Sequence, residues 1–392
     1  MNYFRKTAAA ILALVVMLSS ASCGLKMRDT YKKHDDKTVN DNSGVTAELS
    51  IAERKNSVDI GNGEDELPKN EINGIEPDDI TNSVTLVITG DIKLSEQMIE
   101  DARRQAPEGK EYSFLRMYTG VYRAVNDADV AVGAYSTIGQ PYGTEAEYEP
   151  PVEHLDALAS VGFDVLDISG MGSDYTLLNE KKIEGISSAE EGDGAIRTVE
   201  KSGLTFAFIA VGSGDDAQSV DSEDFYKTVE YAEFISDILV VLVHWDENGT
   251  ADYRSEIIKK ITDSGADVIV GDGESVEGVR WVDADDGTAT LVVESLGNLL
   301  SDADEACNLC SGVLSMTVAA SDSVLEIKEP VIIPAFVHYT EENGIRGDYS
   351  IYKVEDYTSD VAQSHAAEVD PDGLKGYVKE TIPSEFLPQS MR

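Results

Sequence analysis

Basic residues are few. Lysine and arginine total 31 against 74 aspartates and glutamates, a formal net charge of −43 over 392 residues. A surface so acidic repels nucleic acid and anionic membranes. No nucleic-acid partner is expected, and a polyanionic ligand would need a local basic pocket or a bridging cation. Cysteine is rarer, and three residues exclude a disulfide-stapled scaffold and a four-thiolate zinc centre. Histidine numbers five, at His34, His154, His244, His338 and His365, with no cluster that would make an imidazole centre. The apolar run Ala8 to Leu18 is too short to cross a bilayer.

That run does fit a secretory signal. Arg5 and Lys6 precede it and the small residues of "SSASCG", Ser19 to Gly24, follow. Cys23 after Ala21 and Ser22 is placed as the lipidated first residue of a mature bacterial lipoprotein, held at the outer face of the cytoplasmic membrane. Ser20 stands where an aliphatic residue is usual, which leaves ordinary cleavage and secretion as the alternative. Residues 1–22 are thus read as signal and 23–82 as a tether. "KKHDDKTVNDNSG" and "GNGEDELPKNEINGIEPDD" hold too little apolar surface to fold alone. Cys307 and Cys310, in "ACNLCSG", read as a loop with room for a local disulfide and no metal or redox role.

The folded part is read as residues 83–340, with 341–392 as an extension packed on its outside. Continuous apolar runs alternate with amphipathic pieces. "VEHLDALASVG" leads into "FDVLDIS", "GAIRTVEKSG" into "LTFAFIAVGSG", and "DYRSEIIKKITDSG" into "ADVIVGDGES". Helix-length pieces between buried strands argue an α/β architecture with a covered sheet. After Trp281 the runs "TATLVVESLGNLL", "GVLSMTVAAS" and "SVLEIKEPVIIPAFVHY" predict antiparallel strands. Ligands in such folds gather at the carboxyl ends of parallel strands. Those ends fall at Asp91, Ser136, Ser169 to Gly172, Gly212 to Gly214, His244 and Asp272 to Ser275, with Ser295 and Asn298 after the later strand.

In this order, "TLVITGD", "NDADVAVGAYST", "SVGFDVLDISG", "SDILVVLVHWD", "SGADVIVGDG", "ESLGNLL" and "VIIPAFVHY" resemble the CapA family of poly-γ-glutamate capsule-synthesis proteins. The resemblance implies a metallophosphoesterase-like αββα sandwich, two mixed β-sheets flanked by helices. It also implies a strand-end site of Asp, Glu, Asn and His able to hold two metal ions around a phosphoryl group. Asp91 matches the Gly-Asp aspartate of the family, His244 its His-Trp histidine, and Asn298 the asparagine of its Ser-Leu-Gly-Asn motif. The other positions depart from the pattern. Ser136 stands for a glutamate, Gly170–Met171–Gly172 for Asn-Asn-His, and Asp272, Gly273 and Ser275 for three histidines.

Asp91, His244 and Asn298 therefore read as a remnant catalytic site, with Asp91 and His244 as an insufficient metal pair and no cofactor expected. Mn²⁺, Zn²⁺ or Ca²⁺ is the alternative, the last through Asp272, Glu274, Asp246 and Glu247. Lys93 is placed to offset the charge of Asp91. The expected role is a catalytically degenerate exported lipoprotein, partnered with an envelope polymer or capsule-synthesis proteins. The rival is a working metal-dependent hydrolase with a rearranged site. The sequon at Asn248 carries no weight in a bacterial lipoprotein.

Overall fold

A computed structural model of the chain describes residues 80–137, 150–169, 174–212, 218–245, 249–321 and 324–392. The signal segment, Cys23 and nearly all of the tether lie outside these residues, as do Gly170–Gly172, Ser213, Gly214 and Asp246–Asn248.

Four parallel strands start the first sheet: β1 (Asn82–Leu94), β2 (Val130–Thr137), β3 (Val165–Asp167) and β4 (Glu184–Ile186). Between them run α1 (Glu96–Arg104), α2 (Tyr122–Asn126), α3 (Val152–Val161) and α4 (Thr176–Glu180). Helix α1 begins where Ser95 accepts a hydrogen bond from the Met98 N–H at 3.2 Å, which satisfies one orphan donor of the first turn. Its Met98, Ile99 and Ala102 are buried, and Arg103 and Arg104 fall in the last turn, where cations oppose the helix dipole.

The second sheet contains β5 (Arg197–Lys201), β6 (Leu204–Val211), β7 (Ile238–Val243), β8 (Val268–Gly271), β9 (Val276–Asp283) and β10 (Ala289–Leu296), in the order β5-β6-β7-β8-β10-β9. Helices α5 (Glu223–Ile235) and α6 (Ala251–Asp263) connect its parallel members. Alternate residues of these strands serve two cores. Phe206, Phe208, Ile238, Val240 and Leu242 join the large core that also holds Ile88, Val132 and Leu314 of the first sheet. Ala207, Ile209, Leu239, Val241 and Val243 pack with Phe225 and Val229 of α5 and Ile257, Ile258 and Ile261 of α6. Burial on both faces explains why β7 reads as an unbroken apolar run.

The first sheet is then completed by β11 (Asn298–Leu300), β12 (Cys310–Ala320), β13 (Leu325–Glu342) and β14 (Ile345–Lys353). Its order is β14-β13-β12-β1-β2-β3-β4, with β11 also on β1. The short helices α7 (Ser359–Ala362) and α8 (Pro371–Thr381) follow. Two mixed sheets flanked by helices make the αββα sandwich.

Four readings need correction. "GAIRTVEKSG" holds a strand in place of a crossover helix: β5 pairs antiparallel with β6 through Ser202 and Gly203, whose φ values of 52° and 79° suit a two-residue primed hairpin turn. The run after Trp281 is not wholly antiparallel, since β10 lies parallel to β8 and β11 parallel to β1. The boundary at residue 340 falls inside β13, and β14 beyond it is the hydrogen-bonded edge of the first sheet. The extension is therefore part of the sandwich: Leu374, Val378, Phe386 and Leu387 are buried in its large core. Finally, Cys310 does not sit in a loop: it opens strand β12 and is buried. Burial pushes the Cys310 thiol up to about 12.

Candidate functional site

The carboxyl ends of β1, β3, β7 and β8 meet at one rim, joined by the start of β11. At Gly90 strand β1 passes close to the turn between β10 and β11. A Cβ on Gly90 would lie 2.1 Å from the Gly297 carbonyl oxygen. The next residue, Asp91, donates its N–H to that oxygen at 3.0 Å. Gly297 has φ +69°, a conformation glycine adopts without strain, and there the chain steps from the second sheet into the first. The step sets Asn298 opposite Asp91 in register. Asp91 and Asn298 are each 4% exposed.

His244 leaves the end of β7, its N–H bonded to the Val211 carbonyl at 2.8 Å. The ring is 5% exposed, and carboxylates hold both of its nitrogens. Nε2 lies 2.8 Å from Asp167 Oδ2, and Nδ1 lies 3.1 Å from Asp272 Oδ2. Each carboxylate is anchored by its other oxygen. Asp167 Oδ1 accepts from the Ser169 N–H and hydroxyl at 2.9 and 2.6 Å, and Asp272 Oδ1 accepts from the Trp245 N–H at 2.9 Å. Burial alone would lower the pKa of His244. The charges and hydrogen bonds of Asp167 and Asp272 outweigh it and hold the ring well above the ordinary histidine value. The ring is clamped across the sandwich, with Asp167 on the first sheet and Asp272 on the second, a setting that favours its charged form.

Trp245 seals the outer side. Its indole Nε1 donates to the Glu294 carbonyl at 2.8 Å, and it lies so close to Gly271 that a Cβ there would be 2.0 Å from that nitrogen. Arg254 sits over the indole, 5.5 Å from the ring centroid. On the inner side Lys93, two residues along β1 and so on the same face, brings its Nζ to 3.7 Å from Asp91 Oδ2. Between them remains a cavity of about 20 Å³, lined by Thr89, Asp91, Ala134, Asp167, His244 and Asp272 among others. That is room for about one water molecule.

The fit to a dinuclear metal site fails at the histidine. A metal takes the lone pair of a neutral imidazole, and here both ring nitrogens are engaged by carboxylates. Asn298 alone matches a cation: its Oδ1 is buried with no hydrogen-bond partner among the described residues. Of the oxygen set for Ca²⁺, the two described members are engaged elsewhere. Asp272 is committed to His244 and Trp245, while exposed Glu274 accepts from the Asn308 amide at 3.0 Å; Asp246 and Glu247 lie outside the described residues. Among the described residues no group of three or more His, Cys, Asp or Glu is arranged to hold a metal ion.

The structure thus brings together Asp91, Asn298, His244, Asp272 and Lys93, and Ser136 is buried beside them in register with Lys93. Asp167 is the member that sequence reasoning missed. Its signal is the acid inside "VLDIS", at the end of a buried run and two residues before Ser169, where the sequence reading ends the strand. The remaining described histidines have other duties. His154 is buried between the hydroxyls of Tyr118 and Tyr135, at 2.7 and 3.1 Å, and burial pushes it down to about 3. His338 bonds Tyr357 at 3.0 Å, and burial, with His365 beside it, lowers it to about 4.

The family described as "Bacterial capsule synthesis protein PGA_cap" matches residues 85–303. The chain belongs to the PGA_cap family. Every rim residue named above lies inside the match, and β12, β13, β14 and α8 lie beyond it. Three solved structures are similar to this PGA_cap chain in backbone shape. A hypothetical protein from Thermus thermophilus is 11% identical, with a TM-score of 0.38 over 68% of this chain and 98% of that one. A novel phosphatase from Mycoplasma pneumoniae is 10% identical, with a TM-score of 0.39 over 64% and 93%. The calcineurin-like phosphoesterase YfkN from Bacillus subtilis is 11% identical, with a TM-score of 0.36 over 78% and 98%. No curated protein matches the chain.

Proposed function

We propose that this PGA_cap protein is a non-hydrolytic component of capsule or envelope-polymer handling. It acts outside the cytoplasm by binding or assembly, and is anchored through a lipid on Cys23. The observation that carries the reading is the state of His244. The histidine that the family resemblance assigns to the metal site is clamped between Asp167 and Asp272. Hydrolysis by two metal ions needs room for cations about 3.5–4 Å apart with a phosphoryl group between them, more than the cavity of about 20 Å³ among the described residues offers. Export and anchoring are supported by the charged start, the apolar run and the cysteine after small residues.

The test is phosphodiesterase and phosphomonoesterase assay of the purified chain with Mn²⁺, Zn²⁺ or Ca²⁺, beside its metal content after dialysis. The expected result is no turnover above an Asp91→Ala control. Metal-dependent turnover that disappears in Asp91→Ala and His244→Ala would sink the reading. It would favour a hydrolase with a rearranged site, for which the buried Asn298 Oδ1, without a partner among the described residues, is the supporting feature. The anchor is tested separately. Cys23→Ser should move the protein from the membrane to the soluble fraction on cell fractionation, whereas unchanged membrane association would refute lipidation at that residue.

A further inference from the structure

Buried carboxylates need a counter-charge. An ionised group left unpaired in a protein interior is costly, and this rim buries Asp91 and Asp167 almost completely. In a metal-bound rim the cations would meet that need. Here two side chains of the chain itself lie on the acids: Lys93 Nζ at 3.7 Å from Asp91, and the His244 ring at 2.8 and 3.1 Å from Asp167 and Asp272. The Asp91 half differs from the His244 half in one respect. Across from Asp91 in register stands Asn298, 4% exposed, whose amide oxygen is buried and has no partner among the described residues. An acceptor oxygen left so is costly and is a natural ligand for a hard cation. A carboxylate and an amide oxygen are two donors of the kind that Mn²⁺, Mg²⁺ or Ca²⁺ prefers and Zn²⁺ does not, and water would have to supply the rest of the shell.

We infer that Lys93 is an internal substitute for a divalent cation. It lies on the Asp91 carboxylate beside Asn298, and its removal raises the affinity of that half of the rim for an oxygen-preferring metal ion. The inference rests on the reading of a non-hydrolytic rim but concerns binding, and binding is measured apart from turnover. Lys93 is the residue to change because its side chain is 29% exposed. Losing its charge disturbs little packing, while the charge it faces is buried. Replacing the ammonium with a neutral group removes a repulsion of the incoming ion and leaves the Asp91 carboxylate to attract it.

The experiment is calorimetric titration of the purified chain with MnCl₂ and CaCl₂, and thermal unfolding in the same salts against a chelator. Wild type, Lys93→Gln and Lys93→Met are compared, the last keeping the apolar stem. Both variants should bind Mn²⁺ at least about tenfold more tightly than wild type, since a like charge beside the site has been removed. Adding Asn298→Ala to Lys93→Met should abolish the gain. Wild type binding Mn²⁺ as tightly as the variants would overturn the inference, and so would folded variants, checked by near-ultraviolet circular dichroism, that gain no affinity. Turnover by wild type would refute the non-hydrolytic reading instead. Variants that bind Mn²⁺ without hydrolysing phosphoesters support both.

Discussion

His244→Ala should lower the free energy of unfolding by about 3–5 kcal/mol, the range found when one partner of a buried ion pair is removed. Asp167 and Asp272 would be left facing each other across the sandwich with no cation between them, and the Asp167 side chain has no solvent exposure. For a folded region of this size the fall in Tm should be about 5–8 °C, read by thermal unfolding, with urea titration giving the free energy. The loss should depend on pH in a definite direction. The folded pKa of His244 lies well above its ordinary value because Asp167 and Asp272 outweigh the effect of burial. The stabilisation is therefore fully present below the unfolded value of about 6.5. It declines as pH rises through the higher folded value. Urea unfolding at pH 6 should separate wild type from His244→Ala by the full amount, and the gap should shrink in alkaline buffer. A gap that stays constant or widens with pH would mean that His244 is neutral in the folded protein.

Gly90→Ala should cost about 3 kcal/mol or more, at the upper end of what overpacking does. The added methyl would sit 2.1 Å from the Gly297 carbonyl oxygen and 3.0 Å from that of Leu296. These are backbone atoms with no rotamer to yield, so β1 and β11 would have to part. The Asp91–Gly297 hydrogen bond and the register of Asp91 with Asn298 would go with them. Gly376→Ala is the matched control. It lies within α8, where an added Cβ meets nothing within 4 Å, and alanine favours a helix over glycine by about 1 kcal/mol. The control should be neutral or stabilising in the same urea titration. Equal effects at the two positions would contradict the close approach at Gly90.

Much of this architecture is legible because it rests on local pattern. The unbroken run Ile238–Val243 ending at His244 has to be a strand covered on both faces, and the polar residue after it has to lie at a rim. The same logic finds Asp91 and Asn298. It fails at Asp167 because β3 is only three residues long, so the end of its apolar run is placed too late. "GAIRTVEKSG" misleads because a short amphipathic piece fits a period of 2 nearly as well as one of 3.6. Burial of Thr198 and Glu200 does differ from that of their neighbours in strict alternation. The Ser202–Gly203 pair is the signal that decides for a strand and a turn. What cannot be read is the partnership of His244. Its two carboxylates lie 28 and 77 residues away along the chain, and only the folded sandwich brings them to one ring.

Gly297 has a further consequence, for the way the protein comes apart. It is the point where the main chain leaves one layer and enters the other, directly after β10 and directly before β11. The end of one sheet is thus the start of a strand in the next, with no slack in between. Opening one layer therefore pulls on a strand of the other and exposes the core that the two share. The sandwich is therefore expected to come apart as a single unit, in one transition seen alike by every probe.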